Sequence, residues 1–456
     1  MAPGPRPFRP PMKANAMAAR FSHKTADDIL AATGALGIAL PMSGTADALR
    51  RPLDIGGRQV RNRIAIQPME GCDGTPDGRP GALTARRYRR FARGGAGLLW
   101  MEAAAVVPEG RANPRQLCLT PGTLDAFARL VAGIKAEGVR RNGFEPVLIC
   151  QLTHSGRYSR PRGAPEPWIV CHNALFEKGA PLDDSRVVSD DSLRALEEQF
   201  GRAAHLAERA GFDGADIKGC HGYLVGESLS AFERRGPYGG SFENRTRLLR
   251  NALQQAQACT GQAFLVTSRL TLYDGFPHPH GIGVRRDGSL EPDFSEPLKL
   301  AGLLHRRLGI PLLNLTMGNP YVNPHVNRPF DRGAYAPPEP PLRGVARLMA
   351  GAKAVKQAFP TLAVISSGHS YLRQFAPLLV AGAVEAGLSD IAGFGRMAFA
   401  YPGFPNDVLH GAGFDAARTC VTCGRCTELM RAGAAVGCVL HDRRVYGPLY
   451  RKACRS

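Results

Sequence analysis

Nowhere in the 456-residue chain is there a run of about eighteen apolar residues, so a helical membrane span is excluded. Lysine is scarce. Only nine of the 58 basic residues are Lys, and the formal net charge of +19 is carried by arginines scattered as short pairs such as Arg86-Arg87, Arg89-Arg90, Arg285-Arg286 and Arg443-Arg444. There is no basic helix and no stripe of bases interleaved with aromatics, so the charge does not point to nucleic acid. It suits an acidic protein partner or an anionic substrate. Also missing is a Gly-x-Gly-x-x-Gly turn after a strand, the mark of a dinucleotide-binding unit. What remains is ordinary globular composition, with 44% hydrophobic and 21% charged residues, while 53 Gly and 36 Pro imply many turns between short elements.

Residues 1–48 read as an N-terminal extension. Residues 1–11 are Pro- and Arg-rich and are expected to be disordered. Residues 29–41 are mildly apolar, but Asp27-Asp28 precedes them and no clean cleavage site follows. A short surface helix is expected there rather than a signal segment. From residue 52 the pattern becomes regular. Residues 53–60 form a hairpin with Gly56-Gly57 at its turn. Eight short apolar runs follow, at 64–67, 98–101, 147–152, 214–217, 264–269, 312–315, 363–366 and 390–394.

The runs are continuous rather than alternating, as strands buried on both faces of a parallel sheet should be. Amphipathic stretches separate them. Over 192–210, Leu193, Leu196, Phe200, Ala203, Ala204 and Ala207 share one face. Eight β-then-α units predict an α/β fold, a (β/α)8 TIM barrel over about residues 49–410, with a cysteine-rich segment at 411–456. The His-, Gly- and Pro-rich stretch 275–296 reads as an active-site loop, because long loops in compact domains tend to be functional.

Working residues of such a barrel sit where its strands end. The seventh and eighth runs end in Ser367-Gly368 and Gly393-Phe-Gly395-Arg396, small residues whose backbone N–H groups can cradle a phosphate, with Arg396 adding a charged contact. The same glycines would serve equally as plain turns. The fourth run is followed by Lys218, His221 and Tyr223. An ammonium, an imidazole and a phenol together can hold a developing oxyanion and deliver a proton. Residues 314–327, with Met317, Asn319, Tyr321, Asn323 and His325, are expected to line a substrate pocket.

Four of the eleven cysteines cluster as Cys420-x2-Cys423-x2-Cys426-x11-Cys438. This odd, clustered set argues for a metal or cluster site in a reducing, cytoplasmic compartment rather than for disulfides. Three close thiolates and a remote fourth suit a [4Fe-4S] cluster. Zinc, which more often takes two Cys-x-x-Cys knuckles, is the competing occupant.

Several stretches together resemble the old yellow enzyme family of FMN oxidoreductases. They are Val60-Arg-Asn62-Arg63-Ile, Gln67-Pro68-Met69, Gly94-Gly95-Ala96-Gly97-Leu98, Gln151-Leu-Thr-His154-Ser-Gly156-Arg157, Ala210-Gly-Phe-Asp213-Gly, His221-Gly222-Tyr223-Leu224 and Tyr238-Gly-Gly240-Ser-Phe-Glu243-Asn244-Arg245. They occur in family order from residue 53 to about 404. The resemblance implies a bound FMN. Gln151 and Arg269 would contact its ring, Pro68, Met69 and Glu70 would face the N5 edge, and Ser367, Gly368, Gly395 and Arg396 would hold its phosphate. It makes Tyr223 the proton donor and the Lys218/His221 pair the grip on the substrate's electron-withdrawing group.

The cysteine spacing resembles the branch containing 2,4-dienoyl-CoA reductase and trimethylamine dehydrogenase. That likeness implies that all four cysteines ligate [4Fe-4S]. Those relatives continue into nucleotide-binding domains, whereas eighteen residues follow Cys438 here. A separate electron-transfer protein, or NAD(P)H meeting FMN directly, is therefore expected. Where trimethylamine dehydrogenase attaches its flavin through Cys, this chain has Glu70, so FMN should be non-covalent, with Glu70 a base or a seat for a cationic substrate. Two substrate directions follow: reduction of an activated C=C, the expected one, and oxidation of an amine. A non-catalytic zinc-stabilised barrel is the rival from another class. The oligomeric state is left open.

Overall fold

Strands that bury both faces have to be wrapped by helices on the outside and filled from within, and the eight apolar runs do both. The structure, a computed structural model, describes residues 20–454 apart from 178, 332, 334, 412 and 413. A hairpin of β1 (Leu53–Ile55) and β2 (Arg58–Val60) precedes eight strands: β3 (Ile64–Ile66), β4 (Leu98–Ala105), β5 (Val147–Thr153), β6 (Gly214–Ile217), β7 (Leu265–Thr271), β8 (Leu312–Thr316), β9 (Ala363–Ser366) and β10 (Ile391–Phe394). These eight pair in parallel and in chain order, and β10 closes on β3. The fold is a (β/α)8 barrel.

Alternation along each strand sorts the core into two layers. Leu98, Trp100, Val147, Ile149, Leu265, Leu312, Ile365 and Ile391 fill the lower barrel together with Ile55 and Val60 of the hairpin, which plugs that mouth. Gly56 turns there at φ +56°, and a Cβ on it would meet Leu265 Cδ2 at 3.0 Å. Leu99, Met101, Leu148 and Cys150 point outward into the larger layer between sheet and helices. The helix Asp190–Arg209 starts where the Ser189 hydroxyl accepts the Ser192 amide, and it buries all six of the face residues named above. Gly201 lets it approach the neighbouring helix Arg247–Ala258, because a Cβ would lie 3.0 Å from the Gln255 carbonyl.

Around the barrel, residues 26–35 form a helix with a reciprocal Thr25–Asp28 capping box. The chain after it packs on the helix Ala376–Glu385, where Ser43 N donates to Leu378 O (3.0 Å). The reading of residues 1–11 as disordered falls outside the described residues. Beyond the barrel, the segment carrying helices Arg425–Arg431 and Arg443–Cys454 folds back against it. Asp442 accepts from Arg86 at 2.6 and 3.0 Å, and Val436 N donates to Gly71 O at 2.8 Å. No described helix is long and apolar enough to cross a membrane.

Candidate functional site

Above the apolar plug the barrel interior turns polar. Asp216, on β6, is fully buried and accepts from Gln151 Nε2 (2.6 Å), Trp100 Nε1 (2.8 Å) and the Arg269 backbone amide (2.6 Å). Burial pushes this carboxyl up to about 6, against the pull of those donors. A reciprocal amide pair joins Gln67 to Asn314 across the barrel, at 3.0 and 2.8 Å. These bonds fix the orientation of the side chains at the strand tips above.

The tips border a space of about 990 Å³ that is partly open to solvent. Pro68, Met69 and Glu70 enter it after β3, Gln151 from β5, Lys218, His221 and Tyr223 after β6, and Arg269 from β7. Ser367 and Gly368 line it after β9, and Gly395 and Arg396 after β10. The sequence-predicted barrel residues therefore share one cavity.

At one end, Gly368 has φ +91° and a Cβ there would lie 2.2 Å from Leu348 Cδ1, while a Cβ on Gly395 would lie 2.8 Å from Met69 Sδ. The positive φ at Gly368 favours glycine, and a side chain at either position would have to displace Leu348 or Met69. Arg396, 7% exposed, donates through Nη2 to Pro329 O at 3.3 Å. Arg328 faces it, and burial together with the Arg396 charge holds the Arg328 guanidinium below its ordinary value. Neither has a carboxylate within ion-pair distance among the described residues. Two neighbouring guanidiniums without a counter-ion favour an anion between them. At the other end, Arg269 Nε is buried without a hydrogen-bond partner, and burial lowers that guanidinium too. A glycine cradle with cationic groups at one end and an unsatisfied guanidinium at the other fits a flavin mononucleotide, phosphate and ring respectively.

Between these ends lie the groups able to handle a proton. Tyr223, 3% exposed, has its hydroxyl 2.8 Å from that of Tyr321, which stacks on Tyr158 at 4.1 Å. The Tyr158 hydroxyl accepts from Asn319 Nδ2 at 2.8 Å. Burial pushes the Tyr223 phenol well above its ordinary value, so it stays protonated. His221 takes the left-handed backbone, φ +65°, and its Nε2 lies 3.0 Å from Asn327 Nδ2. Burial and the charges of Arg269 and Lys218 drive this imidazole well below its usual range, so it is neutral. Lys218 Nζ rests 3.3 Å from the centroid of the Tyr223 ring. Glu70 Oε1 accepts from Asn113 Nδ2 at 2.6 Å, and burial raises its carboxyl despite the Lys218 charge.

The four clustered cysteines border a second, smaller space of about 350 Å³, which Arg396 and Phe399 also line. Cys420 Sγ accepts from Thr422 N and Cys438 Sγ from His441 N, each at 3.4 Å. Cys426, Thr427, Met430 and Val436 of this segment reach the larger cavity as well. Among the described residues, no group of three or more His, Cys, Asp or Glu side chains is placed to hold a metal ion.

Two expectations need correction. None of residues 275–296 lines the cavity. That loop instead covers neighbouring loops, with Phe276 against Phe176 (5.2 Å), His278 against Phe232 (4.6 Å), and His280 O accepting from Asn173 Nδ2 (3.3 Å). Of the residues picked from 314–327, Tyr321 faces the cavity; Met317 is core, Asn319 and Asn323 brace the loop, and His325 pairs with Tyr335. Asn327 and Arg328 face the cavity instead and were not singled out. The sequence signal for Arg328, a cation in the loop after the sixth strand, is drowned by the arginine content of the whole chain.

A family model described as NADH:flavin oxidoreductase / NADH oxidase matches residues 48–282, just over half of the chain. An NADPH dehydrogenase of Bacillus pumilus is 34% identical over 212 residues, 44% of this chain and 57% of the relative. A metal reductase of Desulforamulus reducens is 25% identical over 400 residues, 86% of this chain and 53% of the relative. The chain thus spans little more than half the length of these relatives. Among solved structures, a 2-naphthoyl-CoA reductase superposes with TM-score 0.72 at 20% identity, covering 89% of this chain and 58% of that one. An old yellow enzyme homologue from Zymomonas mobilis gives 0.60 at 22%, covering 80% and 94%. At those identities the superpositions speak for the fold. By the family model and the cavity it surrounds, the chain belongs to the NADH:flavin oxidoreductase / NADH oxidase family.

Proposed function

We propose that the chain is an FMN-dependent oxidoreductase that reduces an activated, carbonyl-conjugated C=C of a small organic substrate, with NAD(P)H as electron donor. The observation that carries this reading is a single cavity with uncompensated guanidiniums beside a glycine cradle at one end, an unsatisfied Arg269 at the other, and a protonated phenol between them. When bound, FMN supplies a hydride to the substrate. Arg396 and Arg328 hold the phosphate. Arg269 and Gln151 hold the ring, and the Arg269 charge favours electron-rich flavin. Neutral His221 and cationic Lys218 draw charge toward the substrate's carbonyl oxygen. The Tyr223 hydroxyl gives up its proton to the substrate's α-carbon, and Tyr321, half-buried and hydrogen-bonded to it, passes a replacement inward. The reading agrees with the names NADPH dehydrogenase and morphinone reductase borne by relatives and neighbours.

Amine oxidation is the competing direction, and neighbours named 6-hydroxypseudooxynicotine amine oxidase and histamine dehydrogenase keep it in view. Here, however, the ring face that would receive an ammonium is already covered by Lys218. Burial also raises the Glu70 carboxyl, which disfavours its charged form. Both observations favour reduction.

Residues 49–410 would form the flavin-binding unit and 411–456 a segment for [4Fe-4S], with Cys420, Cys423, Cys426 and Cys438 as ligands. The four thiols border one void, and three close cysteines with a remote fourth suit a cubane better than zinc. Burial raises the Cys420 and Cys426 thiols, and the nearby Arg396 charge opposes that rise. A cluster held by these four cysteines would supply single-electron exchange with a separate carrier protein. Anaerobic titration of the purified protein with NADPH, NADH and dithionite tests the whole reading. We expect flavin bleaching by a nicotinamide nucleotide and uptake of more equivalents than flavin alone accepts. A colourless protein containing zinc would overturn it.

A further inference from the structure

Lys218 is out of place for a purely electrostatic residue. It is 6% exposed, follows β6 into the cavity, and among the described residues its ammonium has no ion-pair partner and no hydrogen-bond acceptor. Nζ rests over the face of the Tyr223 ring, 3.3 Å from its centroid. A buried cation resting on a ring face recovers only part of its lost hydration. Of the eight other lysines, those with a described partner bond at the surface or at the rim, as Lys135 does with Asp213 and Lys299 with Glu243. An amine stripped of water, beside a second cation and without a carboxylate to hold its proton, is the environment that frees a lysine lone pair for attack on carbonyl carbon. Burial together with the Arg269 charge lowers Lys218 to about 8, although Glu70, Asp216 and Cys220 pull the other way.

We propose that Lys218 condenses with the carbonyl carbon of a conjugated aldehyde or ketone and holds the substrate as a protonated Schiff base during reduction; this rests on the reductive reading above. The Nζ lone pair forms the new C–N bond as the carbonyl π pair moves to oxygen. That oxygen takes up two protons, one from the nitrogen and one from a neighbouring acid, and leaves as water. The C=N bond that remains carries the positive charge. Charge and protons balance, since an ammonium and a carbonyl become an iminium and water, and no redox partner is consumed. The iminium withdraws electrons from the conjugated double bond more strongly than a carbonyl does, so the β-carbon becomes a better hydride acceptor. Hydrolysis reverses the condensation after reduction. Neutral His221 and the Tyr223 hydroxyl, which line the same cavity, are the acid and base for losing and regaining water.

The experiment uses FMN-loaded protein, trans-cinnamaldehyde as probe and cyanoborohydride to trap the imine, followed by peptide mass mapping. We expect a reduced adduct on the Lys218 peptide at least about tenfold faster than on any other lysine. Lys218→Arg should abolish that adduct while flavin absorbance shows that the cavity is still filled. Failure of Lys218 to react, or reaction at the rate of the exposed lysines, overturns the proposal. Turnover of the enal without an adduct leaves the reductive reading standing and removes the covalent one. An adduct without any nucleotide-dependent reduction does the opposite.

Discussion

The substitution Arg87→Met examines what holds the β3 tip in the cavity wall. Arg87 is 4% exposed and lies on the helix Ala82–Arg93. Its Nη1 and Nη2 donate to the two Asp73 oxygens at 2.5 and 3.0 Å, and Nη2 also pairs with Glu102. The other Glu102 oxygen accepts the Gly71 amide at 2.6 Å, next to Glu70. Gly71 is itself pressed onto the guanidinium, since a Cβ there would lie 2.1 Å from Arg87 Nη2. Methionine fills most of the volume but abandons two buried carboxylates, a loss of about 3–5 kcal/mol near neutral pH. The dependence on pH has a definite sign. Burial holds Glu102 above its ordinary value, and Arg87 is the main force opposing that rise. Without Arg87 the folded protein keeps a proton on Glu102 that the unfolded chain has released, so stability falls as pH climbs past the ordinary carboxylate range. Urea unfolding of both proteins at about pH 5 and about pH 8 should show the larger deficit at the higher pH. A deficit below about 1 kcal/mol, or one equal at both values, would refute this account of the network.

Arg396→Met should weaken FMN binding about 10- to 100-fold, the worth of one charge-assisted contact, read from recovery of free-flavin fluorescence on dilution. An unchanged affinity would place the phosphate elsewhere. Tyr223→Phe should slow reoxidation of the reduced flavin by cyclohexenone about 10²–10⁴-fold and leave reduction by NADPH intact. Equal loss in both half-reactions would mean that the ring, not the hydroxyl, is what matters. Cys423→Ser should remove bound iron and the broad visible absorption of a cluster while flavin stays bound, and loss of zinc instead would decide for the rival metal.

The barrel was legible because its strands bury both faces and so announce themselves as continuous apolar runs. The structure extends β4 past Met101 through Glu102, whose charge breaks the run in sequence but is neutralised by Arg87 from the preceding helix. No local pattern carries that pairing. The tips were legible for the same reason as the strands, since position in a barrel assigns them to one face. Loop 275–296 misled because His, Gly and Pro look alike whether they serve catalysis or a cover over neighbouring loops. Asp216 escaped notice inside an apolar run, and its importance appears only once Gln151, Trp100 and Arg269 are seen to converge on it. Gln67 and Asn314 are 247 residues apart, a separation at which amide pairing cannot be read from a single chain.

The two cavities are not independent, and the reason is a shared scaffold. The helix Ala82–Arg93 anchors the β3 tip through Arg87 and the cysteine segment through Arg86, which reaches Asp442. Gly71 takes part in both contacts, donating its amide to Glu102 and accepting Val436 N at 2.8 Å. The same coupling is built electrostatically. Arg396 lines both spaces, beside the glycine cradle of the larger one and, in the smaller, close enough to oppose the rise that burial imposes on the Cys420 and Cys426 thiols. One guanidinium set between two anionic sites is drawn toward each, and a phosphate that engages it leaves less of its field for the thiols. A change of charge on one side therefore alters the free energy of charge on the other, by an amount that is large because both face a buried, weakly screened cation. Under the proposed occupancy of both sites, flavin binding and cluster potential are expected to shift together, with Arg396 rather than any of the cysteines as the link.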